Sequence, residues 1–116
     1  MRVLIVDDHP SFRASARTLL EAEGYEVVGE AETGFAALEA VRQLKPDVVL
    51  LDVQLPDIDG FEVADRLHAN GAAPHVILTS SREVCDYGSC IEDSSALGFV
   101  PKAELSGAAL AALLSL

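Results

Sequence analysis

The sequence has no tryptophan, one methionine and two cysteines in 116 residues, and its eight Lys and Arg are set against nineteen Asp and Glu, a formal net charge of −11. The shortage of cations argues against this segment gripping a nucleic-acid backbone, because affinity there comes from clustered positive charge. Cys85 and Cys90 stand five apart, neither a C-x-x-C pair nor part of a four-ligand zinc pattern, which leaves them as reduced thiols. His9, His68 and His75 are scattered, so a His-rich metal site is not supported. The most apolar stretch, LSGAALAALLSL, is too short and interrupted for a membrane span of about 20 residues. No charged n-region precedes an apolar h-region, so the chain reads as cytoplasmic, without membrane contact. G-x-G-x-x-G and G-x-x-x-x-G-K-[ST] are both missing, which disfavours dinucleotide and P-loop sites.

What the chain does have is apolar runs alternating with helical patterns. RVLIV is continuous and β-branched, as in strands buried on both faces. SFRASARTLLEAEG follows with Phe12, Ala16, Leu19 and Leu20 at helical spacing and Gly24 as a stop. YEVVGEA is a strand whose Glu26 and Glu30 suit a sheet edge, and TGFAALEAVRQLKP sets Phe35, Leu38, Val41 and Leu44 on one helical face. DVVLLD, HVILTS and ALGFVP read as three further strands. PDIDG supplies a turn with Asp57 and a cap at Asp59, more in keeping with Asp before a helix than with metal ligands. Half the residues are hydrophobic, enough for one core, so residues 1–116 are expected to form one domain. Strict alternation implies an α/β, doubly wound (βα)5 three-layer sandwich with a parallel sheet and right-handed crossovers.

In such folds ligands bind beyond the carboxyl ends of the strands. Asp7 and Asp8 end the first strand, Asp52 the third and Thr79 the fourth, while Lys102 follows the fifth, so all five converge on one edge of the sheet. Two unit charges about 4 Å apart repel by roughly 4 kcal/mol at an effective dielectric near 20, so adjacent aspartates call for water or a cation. Three carboxylates make an oxygen-only site of the kind Mg²⁺ prefers. Asp52 then has the chemistry of a nucleophile toward a phosphoryl group, with Lys102 and the Thr79 hydroxyl each able to take a peripheral oxygen.

VDDHPSF, LLDVQLPDIDG, ILTS and GFVPK together resemble the signatures of the response-regulator receiver domain of two-component systems, over essentially the whole chain. The opening DDHPSF is similar to the NarL/FixJ subgroup, whose members usually carry a C-terminal helix-turn-helix. The resemblance implies a flavodoxin-like sheet in the order 2-1-3-4-5 and a phosphoryl group passed from a sensor histidine kinase to Asp52. It also implies Mg²⁺ on Asp7, Asp8, Asp52 and the Gln54 backbone carbonyl, a switch hydroxyl at Thr79, a switch aromatic at Phe99, and Lys102 as the site lysine. Such a domain is not an enzyme beyond its own aspartyl phosphorylation and dephosphorylation. Ser80 adjoins Thr79, which leaves the switch hydroxyl open between the two, and Phe99 also fits plain core packing. A pseudo-receiver that binds partners without phosphorylation is the alternative function, and an independent Mg²⁺-dependent phosphohydrolase lacks a separate general base.

Two departures from the family pattern stand out. Receivers commonly follow the lysine with proline, whereas here Pro101 precedes Lys102, a placement tolerable on an edge strand. REVCDYGSCIEDSSALG, where the fourth helix should lie, is broken by Gly88 and weakened by serines, so a short or irregular helix is expected. In the terminal helix the 100° rule groups Leu105, Ala108, Ala109, Ala112 and Leu116 inward and turns Leu110 and Leu114 outward. That outward stripe is expected to join the fourth helix and fifth strand in a homodimer or output-domain contact. The sequence leaves a stand-alone receiver and a piece of a longer DNA-binding regulator equally open.

Overall fold

The structure, a computed structural model, describes residues 1–69, 71, 74–81 and 96–114. Its elements run β1 (Arg2–Val6), α1 (Pro10–Ala22), β2 (Glu26–Ala31), α2 (Gly34–Leu44), β3 (Val48–Asp52), α3 (Gly60–Ala69), β4 (His75–Ser80) and β5 (Gly98–Pro101). A 3-10 turn (Lys102–Glu104) and a C-terminal helix α4 (Gly107–Leu114) follow. The five strands form one parallel sheet in the order β2-β1-β3-β4-β5, as expected from the alternation and the family resemblance.

The inner strands explain the layering. Val3 to Val6 and Val48 to Leu51 are essentially inaccessible, and alternate side chains leave the sheet in opposite directions. Leu4, Val6, Val49, Leu51 and Leu78 pack under Ala37 and Val41 of α2 and Val63 and Leu67 of α3. Val3, Ile5, Val48, Leu50 and Ile77 pack on the other face under Ala16 and Leu20 of α1 and Leu110 of α4. Each buried aliphatic side chain contributes about 1.5–3 kcal/mol, so this double-sided core fixes the register of the strand ends that carry the polar residues.

Three expectations need comment. Phe35 does not face the core but is 54% exposed, with the Arg66 guanidinium 5.5 Å from its ring centroid. The buried positions of α2 are Gly34, Ala37 and Val41, because Ile58 lies so close to Gly34 that a Cβ there would overlap its Cγ1. The C-terminal helix departs from the expectation: Leu105 and Ala109 pack against the core as expected, but Leu110 is fully buried, Leu114 also packs inward, and Ala108 and Ala112 are exposed. Leu110 and Leu114 are therefore not an outward stripe, and no dimer contact is built on them. The expected fourth helix, with Cys85 and Cys90, lies outside the described residues, as does Leu116. Among the described residues no helix is long and apolar enough to cross a membrane.

Candidate functional site

The polar residues gather where β1, β3, β4 and β5 end. The Asp7 N–H continues the sheet by donating to the Ala31 carbonyl at 3.0 Å, which draws its side chain into a fully buried position. Its Oδ1 accepts the His9 N–H at 2.8 Å, and the His9 Nδ1 lies 3.0 Å from both Asp7 Oδ1 and Asp8 Oδ1. From α1, Arg13 donates to the Asp7 carbonyl at 2.6 Å and to Glu30 at 3.0 Å, and Arg17 donates to Glu30 at 2.8 Å. The Arg17 hydrogen bond, joined by Arg13 and opposed by burial, holds the Glu30 carboxyl below its ordinary range.

Asp52 ends β3 with its side chain buried. Its Oδ1 accepts the Gln54 N–H at 3.2 Å, and its Oδ2 lies 3.4 Å from Lys102 Nζ. Burial and the neighbouring Asp7 charge push the Asp52 carboxyl above its ordinary value, against the pull of Lys102. Behind it, Gly60 lies on the main chain: a Cβ there would come 2.5 Å from the Asp52 carbonyl oxygen. The Gly60 N–H donates to the Val53 carbonyl at 2.8 Å and closes the loop that follows Asp52.

Thr79 is the direct neighbour of Asp52 in the β3–β4 register, and Val100 the neighbour of Thr79 in β4–β5. The Thr79 Oγ1 is buried without a hydrogen-bond partner among the described residues. Ser80 pairs instead with Pro101 in the β4–β5 register, so of the two hydroxyl residues Thr79 is the one in register with Asp52. Phe99 pairs with Leu78 and packs partly buried against the α2/α3 face.

Pro101 ends β5 in an extended conformation and Lys102 opens the 3-10 turn, so the proline before the lysine does not keep it from the site. Its Nζ reaches 2.6 Å from Asp7 Oδ2, an ion pair not aligned as a hydrogen bond. The same Nζ sits 4.5 Å from the Phe12 ring centroid.

Asp7, Asp8, His9 and Asp52 each offer a ligand atom, all within 4.8 Å of one another. Three are carboxylates, the donors a hard divalent cation takes, and Asp8 Oδ1 is a buried acceptor without an aligned donor among the described residues, which a cation would satisfy. The residues therefore fit Mg²⁺. Gln54, exposed two residues past Asp52, contributes its N–H to the carboxylate. Asp59 accepts the Glu62 N–H at 2.8 Å as the α3 cap. Asp57 turns out to cap a different helix, accepting from Gly34 N–H at 2.8 Å and Phe35 N–H at 2.9 Å at the start of α2. The sequence reading singled out neither Phe12 nor Gly60 for the site. A long apolar residue four after Asp8 and the glycine closing PDIDG were the available signals.

Residues 3–114 match the family model for the response regulator receiver domain. The transcription regulator BvgA of Bordetella pertussis is 39% identical over 103 residues, which are 89% of this chain and 49% of that protein. The DNA-binding transcriptional activator EvgA of Escherichia coli K12 is 36% identical over 104 residues, 90% of this chain and 51% of that protein. The chain thus spans about half the length of the curated relatives it matches. Among solved structures, the signal receiver domain of the response regulator NarL from Mycobacterium tuberculosis superposes with a TM-score of 0.86 at 34% identity, covering 99% of this chain and 97% of that one.

Proposed function

The chain belongs to the response-regulator receiver family, and on that premise we propose that it takes a phosphoryl group from a sensor histidine kinase onto Asp52 and passes the change to an output partner. The observation that carries the proposal is the placement of Asp52: buried, within reach of Lys102, and in register with a Thr79 hydroxyl that has no partner among the described residues.

In the proposed step an Asp52 carboxylate oxygen forms the new O–P bond as the N–P bond of the donor histidine breaks. Asp52 must be ionised to attack, and Lys102, with the Gln54 N–H, favours its charged form. The Lys102 ammonium then binds one peripheral oxygen and the Thr79 hydroxyl donates to another, taking up charge in a water-poor setting where fixed donors count for most. Mg²⁺, held by Asp7, Asp8, Asp52 and the Gln54 carbonyl, would supply charge neutralisation and orientation of the phosphoryl oxygens. Asp7 and Lys102 are already paired, so the lysine is held at the site before any donor arrives. Phe99, one residue before the neighbour of Thr79, is the aromatic that would report a movement of the hydroxyl. The domain has no turnover of its own beyond making and losing this aspartyl phosphate. The names of its relatives, transcription regulators about twice its length, support a DNA-binding output half as the partner, with this half acidic, cytoplasmic and not itself touching DNA.

The test is intact-mass measurement after incubation with a small phosphodonor and Mg²⁺. One phosphoryl adduct on the wild type and none on Asp52→Asn is expected. No adduct on the wild type overturns the proposal in favour of a phosphorylation-independent interaction module.

A further inference from the structure

The loop between Asp52 and α3 is anchored at both ends, and its outer anchor lies on a helix that contributes nothing else to the site. At the base, Gly60 N–H donates to Val53 carbonyl at 2.8 Å, and Asp59 caps the first turn of α3 through Glu62 N–H. At the tip, Asp57 reaches across to α2 and takes both Gly34 N–H and Phe35 N–H, one on each carboxylate oxygen, at 2.8 and 2.9 Å. A carboxylate is favoured at a helix N-terminus, where the backbone N–H groups are otherwise unpaired and the dipole is positive. The remaining first-turn donors of α2 go to Thr33: Ala36 N–H to its Oγ1 at 3.0 Å and Ala37 N–H to its carbonyl at 3.0 Å. Ile58, next to Asp57, packs over Gly34, which leaves room for it only because it has no Cβ.

We infer that Asp57 is a positioning residue for the cation and phosphoryl site, clamping the loop that carries Asp52 and Gln54 onto the N-terminus of α2. The inference rests on the reading of Asp52 and its neighbours as that site. Gln54 lies three residues before Asp57 and between the two anchors, so losing the outer one frees the segment whose N–H donates to Asp52 Oδ1. Ligand atoms must be held to within fractions of an ångström, and partners behind a metal site commonly change its affinity when removed. Asp57 touches neither cation nor phosphoryl group, and its effect is transmitted through backbone placement alone.

Thr33 supplies the control, since it caps the same helix but makes no bond to the loop. Both residues cap the same helix, so Asp57→Ala and Thr33→Ala are expected to lower the urea midpoint by similar amounts. Calorimetric titration of each apo variant with Mg²⁺ separates them: binding to Asp57→Ala should weaken about three- to tenfold, a modest effect for a residue supporting a metal site, while Thr33→Ala stays within about twofold of wild type. Asp57→Asn keeps one oxygen toward α2 and should fall between, and it decides the question where the alanine variant does not fold. Mg²⁺ affinity unchanged in Asp57→Asn and Asp57→Ala, or lowered equally in Thr33→Ala, overturns the inference while leaving phosphorylation of Asp52 intact. A wild type that binds no Mg²⁺ overturns the site reading and this inference together.

Discussion

The Lys102 ammonium rests over the Phe12 ring, 4.5 Å from its centroid, so this lysine is held from α1 as well as by its carboxylate partners. A cation over an aromatic face gains about 0.5–2 kcal/mol depending on desolvation, and Lys102 is largely buried. Phe12→Leu keeps most of the packing and removes the ring's negative face. The expected outcome is a loss of about 1 kcal/mol in urea unfolding together with a several-fold slower appearance of the phosphoryl adduct. An adduct rate equal to wild type would show that the carboxylates alone hold the lysine.

Asp52 and Glu30 are shifted in opposite directions and give opposite dependences on pH. Burial and Asp7 raise Asp52 above its ordinary 3.8, so its contribution to stability is fully present below that value and is lost as pH rises through the raised one. Without Mg²⁺ at neutral pH, Asp52→Asn is therefore expected to be more stable than wild type, with the gap closing in acid. Glu30, held below 4.5 by Arg17 and Arg13, contributes stability above that value and loses it as pH falls through its lowered one. Glu30→Gln is thus expected to be less stable than wild type at neutral pH and to converge with it in acid. Urea midpoints across this range, measured without divalent cations, check both signs.

Leu110 is fully enclosed by the sheet and its neighbours, so Leu110→Ala should cost about 2–5 kcal/mol, the range for truncating a buried leucine. Ala108→Ser, on the exposed side of the same helix, should stay within about 0.5 kcal/mol of wild type. Equal effects at the two positions would mean that α4 does not present Leu110 to the core.

The order of elements and the convergence of Asp7, Asp8, Asp52, Thr79 and Lys102 were legible because strand ends in a parallel sheet all point one way, whatever the sequence distance between them. The face of α4 was not, since GAALAALL is apolar at every position and periodicity has nothing to distinguish. Phe35 misled for a related reason: its spacing fits the inward face, but the decisive contact is Ile58 against Gly34, from a loop more than twenty residues away. Asp59 was legible as the cap of the helix that follows, whereas Asp57, read as a turn residue, caps α2 more than twenty residues earlier, a contact that local spacing cannot show. The register, which puts Asp52 beside Thr79 and Pro101 beside Ser80, likewise lies beyond what local spacing can show.

The outermost strands bear on how two such molecules can meet. β5 is four residues long and ends in a proline without an N–H, and β2 carries Glu26 and Glu30 and has a register shift against β1 between Val3 and Leu4. Neither flank offers a long, flat row of free backbone groups for a second molecule to zip onto. Copies of this domain are thereby steered away from merging into one continuous ten-stranded ribbon.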